Sequence, residues 1–558
     1  MDSPQEQERH EEAAQFHVLP TPDREDEADS GATTAPAKSS GPKKEPADSA
    51  GALAVQLAEN SEIELFHTAD HEPYATYRVH KHKETWALAS AKFKRWLAQL
   101  YYKATGEPLN DRALKEALNI LEARALFDGE EQQVHLRVAE YEGAYYVDLV
   151  DRQWRVVKIA PGDWQVLDDS PVKFTRTKAM KALPVPERGG RIDELREFVN
   201  VDNEQWILVL SWLIAAFRPR GPYPVLILNG EQGSAKSTTA RVLRKLFDPN
   251  TSPLRTKTRS EEDLMVTARN SHVLALDNIS YLSPDLSDAL CRISTGGGFS
   301  GRQRYTDTEE TILNVVRPVL INGITDLIER SDLLQRSIIL EAPRITSKNR
   351  RTEAEFWAAF KEKQPRILGA LLSAVAAGLL KLPTTHLAEL PRMADFATWA
   401  SACEEALGFV PGTFISTYHA HLREGSEAIL AMSPIVPAVL KLLNENHGNV
   451  EFTPTEMRDA LNDVVDPETR RQSDWPKSVT KMSAQLKRLA PNLREIGVEH
   501  ERAKTKGTNS RRVIKLKRVP AAHTTGATAA PTKGAATEPA EDDSELSEEG
   551  DDLGFTYD

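Results

Sequence analysis

The chain counts 558 residues, 40% of them hydrophobic and 27% charged, enough for roughly three or four domains with sizeable cores. Two cysteines, Cys291 and Cys403, exclude a disulfide-built secreted fold and a cysteine-rich zinc module. The net charge of −13 sits at the ends, with 12 acids against 5 bases in residues 1–50 and 10 against one in residues 519–558. The middle of the chain therefore stands at about +3, which leaves nucleic acid open as its partner. Apolar runs such as 206–217 and 371–380 fall short of the roughly 20 residues that span a bilayer, and MDSPQEQERHEE does not read as a signal peptide. A soluble cytoplasmic protein with no membrane partner is the expectation.

Residues 1–58 are rich in Glu, Asp, Pro, Ala and Ser without apolar periodicity and read as a disordered acidic tail. Residues 59–190 read as an α+β module. Apolar spacing predicts helices over 91–105 and 111–125. The alternation in VHLRVAEYEGAYYVDLVDRQWRVVKI, with turn signals at Glu142-Gly143 and Pro161-Gly162, predicts two or three hairpins. Asp148 and Asp151 lack the Asp-x-Asp spacing of a polymerase metal pair and read as solvated strand-end carboxylates, so priming is not supported. PVPERGG (184–190) reads as a linker. Residues 191–345 carry the chemistry, and residues 346–431 read as a helical region. Residues 432–518 read as short helices followed by a hairpin, with 15 Lys/Arg against 4 Asp/Glu between Arg470 and Arg518. Residues 519–558 read as a second disordered acidic tail. Its apolar-aromatic tip (Leu553, Phe555, Tyr557) is either a docking peptide for a protein partner or the end of a solubilising tail.

The decisive stretch is PVLILNGEQGSAKSTTARVLRKLF (224–247). A β-type run ends at Asn229, a small-residue loop follows, and Lys-Ser-Thr opens an amphipathic helix, which is the strand–loop–helix context of a P-loop. Gly230, Glu231, Gln232, Gly233, Ser234, Ala235, Lys236, Ser237 and Thr238 would surround phosphates with backbone N–H groups at a helix N-terminus. Lys236 would reach the β/γ-phosphates of ATP, and Ser237 would bind Mg²⁺. The pattern has glycine just before the lysine, where this chain carries Ala235. Downstream, the apolar run of SHVLALDN closes on Asp277, a second Mg²⁺-holding position. The apolar run of RPVLING closes on Asn322, able to orient water, and ERSDLLQRSIIL sets arginines before a further strand. An Asp or Asn ending a buried strand is routine taken singly; the order behind the loop joins them.

GEQGSAKST, LALDN, VLING and DLLQRSIIL, closely spaced in that order, resemble the AAA+ ATPase core of superfamily 3 helicases, in particular phage, plasmid and poxvirus primase–helicase ATPases. The resemblance covers about residues 195–345. It implies an α/β fold: an AAA+ P-loop core, an α+β N-terminal module, a helical region and a C-terminal winged-helix-like domain between the acidic tails. It further implies an ATPase and DNA helicase in DNA replication, assembled as a homo-oligomeric ring, a hexamer. On that likeness Lys236 and Ser237 match Walker A, Asp277 matches Walker B, Asn322 is the sensor, and Arg336 is the arginine finger, with Arg330 as second choice. One departure stands out: the catalytic acid commonly follows the Walker B aspartate, and here it is Asn278, which can position water but cannot take a proton. Asp285 or Asp288 are alternative bases. A nucleotide-controlled DNA-binding switch with slow or no turnover is the rival reading.

Two segments are expected to hold DNA, single-stranded or duplex. STGGGFSGRQRYTDT (294–308) offers Arg302 and Arg304 to phosphates and Phe299 or Tyr305 to bases; the resembled helicases carry a channel hairpin in this interval. In the basic C-terminal region, Lys477, Lys481, Lys487 and Arg488 on a helix and Arg502, Lys504, Lys506, Arg511 and Arg512 on a wing suit docking on a groove and backbone. The bland rival is a basic face that only meets the acidic tails.

Overall fold

The computed structural model describes residues 49–256, 260–296, 299–302, 310–313, 315–323, 331–346, 348, 350–504 and 511–519. The first element corrects the expected N-terminal tail. Ala50–Glu59 is a helix, capped by Ser49, whose Oγ accepts from the Ala52 amide. Ala54, Val55 and Ala58 are buried in a core with Phe93 and Leu97 of helix Ala91–Thr105 and Leu121 of helix Asp111–Phe127. Small apolar residues running on from an Ala-rich acidic stretch hid this face from a reading by composition. The three helices cover a sheet of order His82–Ala87, Pro73–Val79, Glu64–His67, Glu130–Glu131.

The predicted hairpins form an antiparallel meander of Val138–Tyr141, Ala144–Asp148, Val156–Ala160 and Asp163–Leu167. Glu142 (φ 49°) and Gly143 (φ 72°) make the first turn, the paired left-handed conformation that suits a two-residue hairpin. Asp148 and Asp151 serve structure: Asp148 binds Arg176 at 2.6 and 2.9 Å, and Asp151 binds Arg155 at 2.6 Å. Asp148 is buried rather than solvated, a correction to the reading of a strand-end carboxylate. Among the described residues no group of three or more His, Cys, Asp or Glu could hold a metal ion.

Residue 190 is not a packing boundary. Tyr145, Val147, Val157, Ile159 and Trp164 from the meander share one core with the central domain. The PVPERGG segment lies against helix Glu353–Lys381: the Glu187 amide donates to Pro365 O at 3.0 Å, and a Cβ on Gly190 would sit 2.0 Å from Arg366 O. Residue 346 is no boundary either, because Phe360, Leu371, Trp399, Phe414 and Tyr418 of the helical region belong to that same core. Apolar faces distant in sequence thus close on one another across both expected divisions. Helix Glu353–Lys381 is long and apolar enough to cross a membrane by length and composition, but 56% of its apolar window is buried in the protein.

The central sheet is parallel, in the order Leu274–Ile279, Val319–Gly323, Val225–Asn229, Ser337–Glu341. Val225–Asn229, buried throughout, lies inside it, and helix Trp206–Ala216, also wholly buried, packs in the same core. The edge strand Ser337–Glu341 is blunted by His421, whose Nε2 accepts from the Ile339 amide at 3.0 Å. The C-terminal region has its own core around Val439, Leu443, Met457, Met482, Leu486 and Leu516. Its order is helix Ile435–Glu445, strand Asn449–Phe452, helices Pro454–Asp463, Pro467–Arg471 and Val479–Glu495, then hairpin Val498–Lys504/Arg512–Arg518.

One buried ionic cluster ties these layers together. Asp248 ends the helix Lys236–Phe247 and is fully buried, as is Arg137. Arg137 Nε donates to Asp248 Oδ1 at 3.2 Å, Arg244 lies 3.6 Å from Oδ2, and the Val273 amide donates to Oδ2 at 3.1 Å. Arg137 also donates to the carbonyls of Asp148 and Lys181. Removing the carboxylate strands two guanidiniums out of water, so Asp248→Ala should lower the unfolding free energy by about 3–5 kcal/mol. Denaturant titration reads this, and a loss under about 1 kcal/mol would show that the cluster is not the tie described here.

Burial pushes His421 down to about 4, against about 6.5 for an unfolded imidazole. Between those values the unfolded chain binds more protons, so stability present above about pH 6.5 is lost as the pH falls towards 4. His421→Gln keeps an acceptor for Ile339 and should lose roughly 3 kcal/mol less than wild type over that interval, read by unfolding at several pH values.

Candidate phosphate-binding site

The cleft starts where Val225–Asn229 leaves the sheet. Gly230 (φ 133°) lies so near the neighbouring chain that a Cβ would stand 2.5 Å from Ala342 O. Gly233 (φ 87°) and Ala235 (φ 59°, ψ 27°) then turn the backbone into helix Lys236–Phe247. Ser234 is buried and braces the loop, its Oγ donating to Glu231 O at 2.9 Å. No side chain caps the helix, so its first-turn N–H groups are left for a ligand. Lys236 Nζ folds over the loop and donates to Gly230 O (2.5 Å) and Glu231 O (2.8 Å). Alanine in the left-handed region costs roughly 1–2 kcal/mol that glycine avoids.

Three polar side chains from three elements converge beside the lysine. Ser237 Oγ donates to Asp277 Oδ1 at 3.1 Å, and Asn322 Nδ2 donates to Ser237 Oγ at 2.8 Å and to Asp277 Oδ1 at 2.6 Å. Asp277 comes from strand Leu274–Ile279 and Asn322 from Val319–Gly323, neighbours in the parallel sheet. A hydroxyl and a carboxylate so close are hard oxygen donors of the kind Mg²⁺ takes. Asn278 lines the same cleft, exposed, with φ 56°, at a register shift between Leu276 and Ile279. Asparagine is among the few residues that enter the left-handed region readily, which gives its presence a backbone reason. Asp285 and Asp288 ride on helix Pro284–Thr295, outside the residues that line the cleft.

Arg336 lies elsewhere. Its Nη1 donates to Asp332 O (3.1 Å) and Oδ2 (3.3 Å), and its carbonyl accepts from the Val225 amide at the start of the phosphate-loop strand. It therefore stands at the opposite end of the sheet from its own loop. Arg330, Arg304, Tyr305 and Lys506 lie outside the described residues. Arg302 ends strand Phe299–Arg302, which pairs antiparallel with Glu310–Leu313. Lys481, Lys487, Arg488, Arg502, Lys504, Arg511 and Arg512 are all exposed on the C-terminal helix and hairpin, whereas Lys477, also exposed, stands before the helix cap Ser478 rather than on the helix as expected.

Sequence reading missed the wall facing the loop. Asp202, Gly323, Glu341, Pro343 and Arg344 also line the cleft. Asn200 Nδ2 bridges Ser234 O (2.9 Å) and Pro343 O (2.6 Å), tying the phosphate loop to the chain leaving the edge strand. Asp202 Oδ1 accepts from the Gln205 amide at 2.7 Å. The register of Asn229 against Glu341 brings Glu341, Pro343 and Arg344 here, whereas Asn200 and Asp202 come from the segment before helix Trp206–Ala216.

Residues 192–426 match the family model of the actinomycete integrative conjugative element replication protein, and residues 435–532 match that of the RepA C-terminal domain from such elements. Across these two regions the chain is similar to replication proteins. No curated protein is matched. Among solved structures, the apo A form of the NrS-1 C-terminal region is 11% identical, with a TM-score of 0.37, over 84% of this chain and 99% of its own. A RuvB variant from Thermotoga maritima is 15% identical, with a TM-score of 0.19, over 59% of this chain and 95% of its own.

Ala235→Gly should relieve the left-handed alanine and raise the unfolding free energy by about 1 kcal/mol, measured by denaturant titration. A destabilised variant would mean that the methyl group makes packing worth more than its strain.

Proposed function

We propose that this chain is an ATP-binding and ATP-hydrolysing DNA helicase or translocase of superfamily 3 type, acting in replication as a homo-oligomeric ring, a hexamer. The observation that carries the reading is the Ser237–Asp277–Asn322 triangle beside Lys236 at an uncapped helix N-terminus. Such an arrangement serves a triphosphate better than any other ligand, because amide dipoles, one ammonium and a hard-oxygen pair converge on one spot. Ser237 and Asp277 would hold Mg²⁺, which when bound neutralises charge developing on the phosphoryl oxygens. Lys236 would release the loop carbonyls for the phosphates, and Asn322 would orient water.

The cleft, about 1460 Å³, exceeds the 300–1,000 Å³ usual for small-molecule pockets and is open on one side. That openness, with Arg336 remote from its own loop, favours completion by the Arg336 of a second copy, worth 10³–10⁵ in rate where such fingers act. The matches to a replication-protein family support the DNA reading, as do the strand that ends at Arg302 and the exposed bases of the C-terminal helix and hairpin. A winged-helix role for the C-terminal region is supported by its order of helix, strand, three helices and hairpin. The switch reading has one observation of its own: Asn278, an amide at the position following Asp277, which argues for slow turnover.

Lys236→Ala and Arg336→Ala should each abolish DNA-stimulated ATP hydrolysis, while an equimolar mixture of the two recovers part of it. A mixture as dead as its components would exclude action between copies. Failure of wild type to bind Mg·ATP saturably would remove both readings, whereas tight binding with negligible turnover favours the switch.

A further inference from the structure

We propose that the acidic C-terminal segment of this chain docks on the exposed basic face of helix Val479–Glu495 and its hairpin, and screens that face from DNA. The helix buries Met482, Leu486, Leu489 and Leu493 on one side. Lys481, Lys487, Arg488 and Arg494 are exposed on the other, with exposed Ala484 between them, and Lys504 and Arg512 continue the basic surface onto the hairpin. Spacings of three, four and seven residues set this row along one stripe of the helix.

The opposite charge is encoded just beyond. Residues 519–558 hold 10 acids and one base, and nine of those acids fall between Glu538 and Asp552. Against them stand the 15 bases and 4 acids of residues 470–518, so the two stretches nearly neutralise each other. The acidic segment follows directly from strand Arg512–Arg518, the middle strand of the same small sheet. From Arg518 to Glu538 the extended chain reaches about 65 Å, well over the roughly 26 Å length of the helix. Reach is thus no obstacle, and covalent linkage supplies an effective concentration in the mM range. The N-terminal acids, in contrast, enter at Ser49 on a separate core. Docking needs only the basic face; its effect on DNA rests on the function proposed above.

The test compares the natural full-length chain with one in which the nine carboxylates between Glu538 and Asp552 are replaced by their amides. A labelled peptide of residues 535–558 should bind the amide version saturably at low salt, with a dissociation constant near about 100 µM. Lys481→Glu combined with Lys487→Glu should weaken it at least about tenfold. Set against a mM effective concentration, that affinity predicts about tenfold tighter binding of a labelled single-stranded oligonucleotide by the amide version. The gap should close by about 0.5 M salt. No peptide binding, equal binding to the charge-reversed chain, or equal oligonucleotide affinity of both full-length versions would overturn the proposal. So would a gap that grows with protein concentration, which marks the tail of a second copy, or one that appears on deleting residues 1–48 instead. Peptide capture with no oligonucleotide binding by either version upholds docking and removes the DNA reading.

Discussion

A single carboxylate, Asp248, holds the centre of this protein together. It is fully buried, and two guanidiniums and a backbone amide from three parts of the chain close on it. Arg137 arrives from the meander, Arg244 from the last turn of the phosphate-loop helix, and Val273 from the start of the strand that ends near Asp277. Desolvating such charges is expensive, and burial lowers the affinity of both arginines for their protons, while the Asp248 charge opposes that shift. The arrangement persists because both guanidiniums keep the Asp248 carboxylate within 3.6 Å, although Arg244 Nη2 itself makes no hydrogen bond. It pins the far end of helix Lys236–Phe247 and thereby sets where its near end, with Lys236 and Ser237, meets the cleft.

Around that anchor the cleft is built from two residues in an unusual backbone state. Ala235 and Asn278 are both left-handed without being glycine, one on each side of the Ser237–Asp277–Asn322 triangle. Strain of this kind gathers where surrounding structure over-determines a conformation, and functional sites are the usual place. For Asn278 the backbone gives a reason for an amide where an acid is the familiar residue. Ala235 has no such reason, and nothing in the structure explains the methyl group.

The phosphate loop was legible because its parts are local: strand, loop and helix follow within two dozen residues, and each residue type has one mechanical task. The strands that carry Asp277 and Asn322 near their ends were legible for the same cause, as short apolar runs closed by a polar residue. Glu341 and Arg344 were not, since only the order of the parallel sheet sets them opposite the loop, and neither were Asn200 and Asp202, which reach it from the segment before helix Trp206–Ala216. The packing across residues 190 and 346 was not legible, because Trp164, Phe360 and Trp399 share one core across some 240 residues of sequence. Helix Ala50–Glu59 was lost in an alanine-rich neighbourhood whose burial depends on partners further on.

The position of Arg336 has a geometric corollary. It precedes strand Ser337–Glu341, whose other end borders the phosphate loop, and five extended residues hold those ends about 16 Å apart. In the proposed assembly, contact between this guanidinium and the loop of a second copy would therefore be head-to-tail, joining unlike faces of successive copies. In a linear stack such contacts leave one terminal cleft without its arginine, while a closed circle leaves none. Closure itself, more than any added bond, would then make every site equivalent.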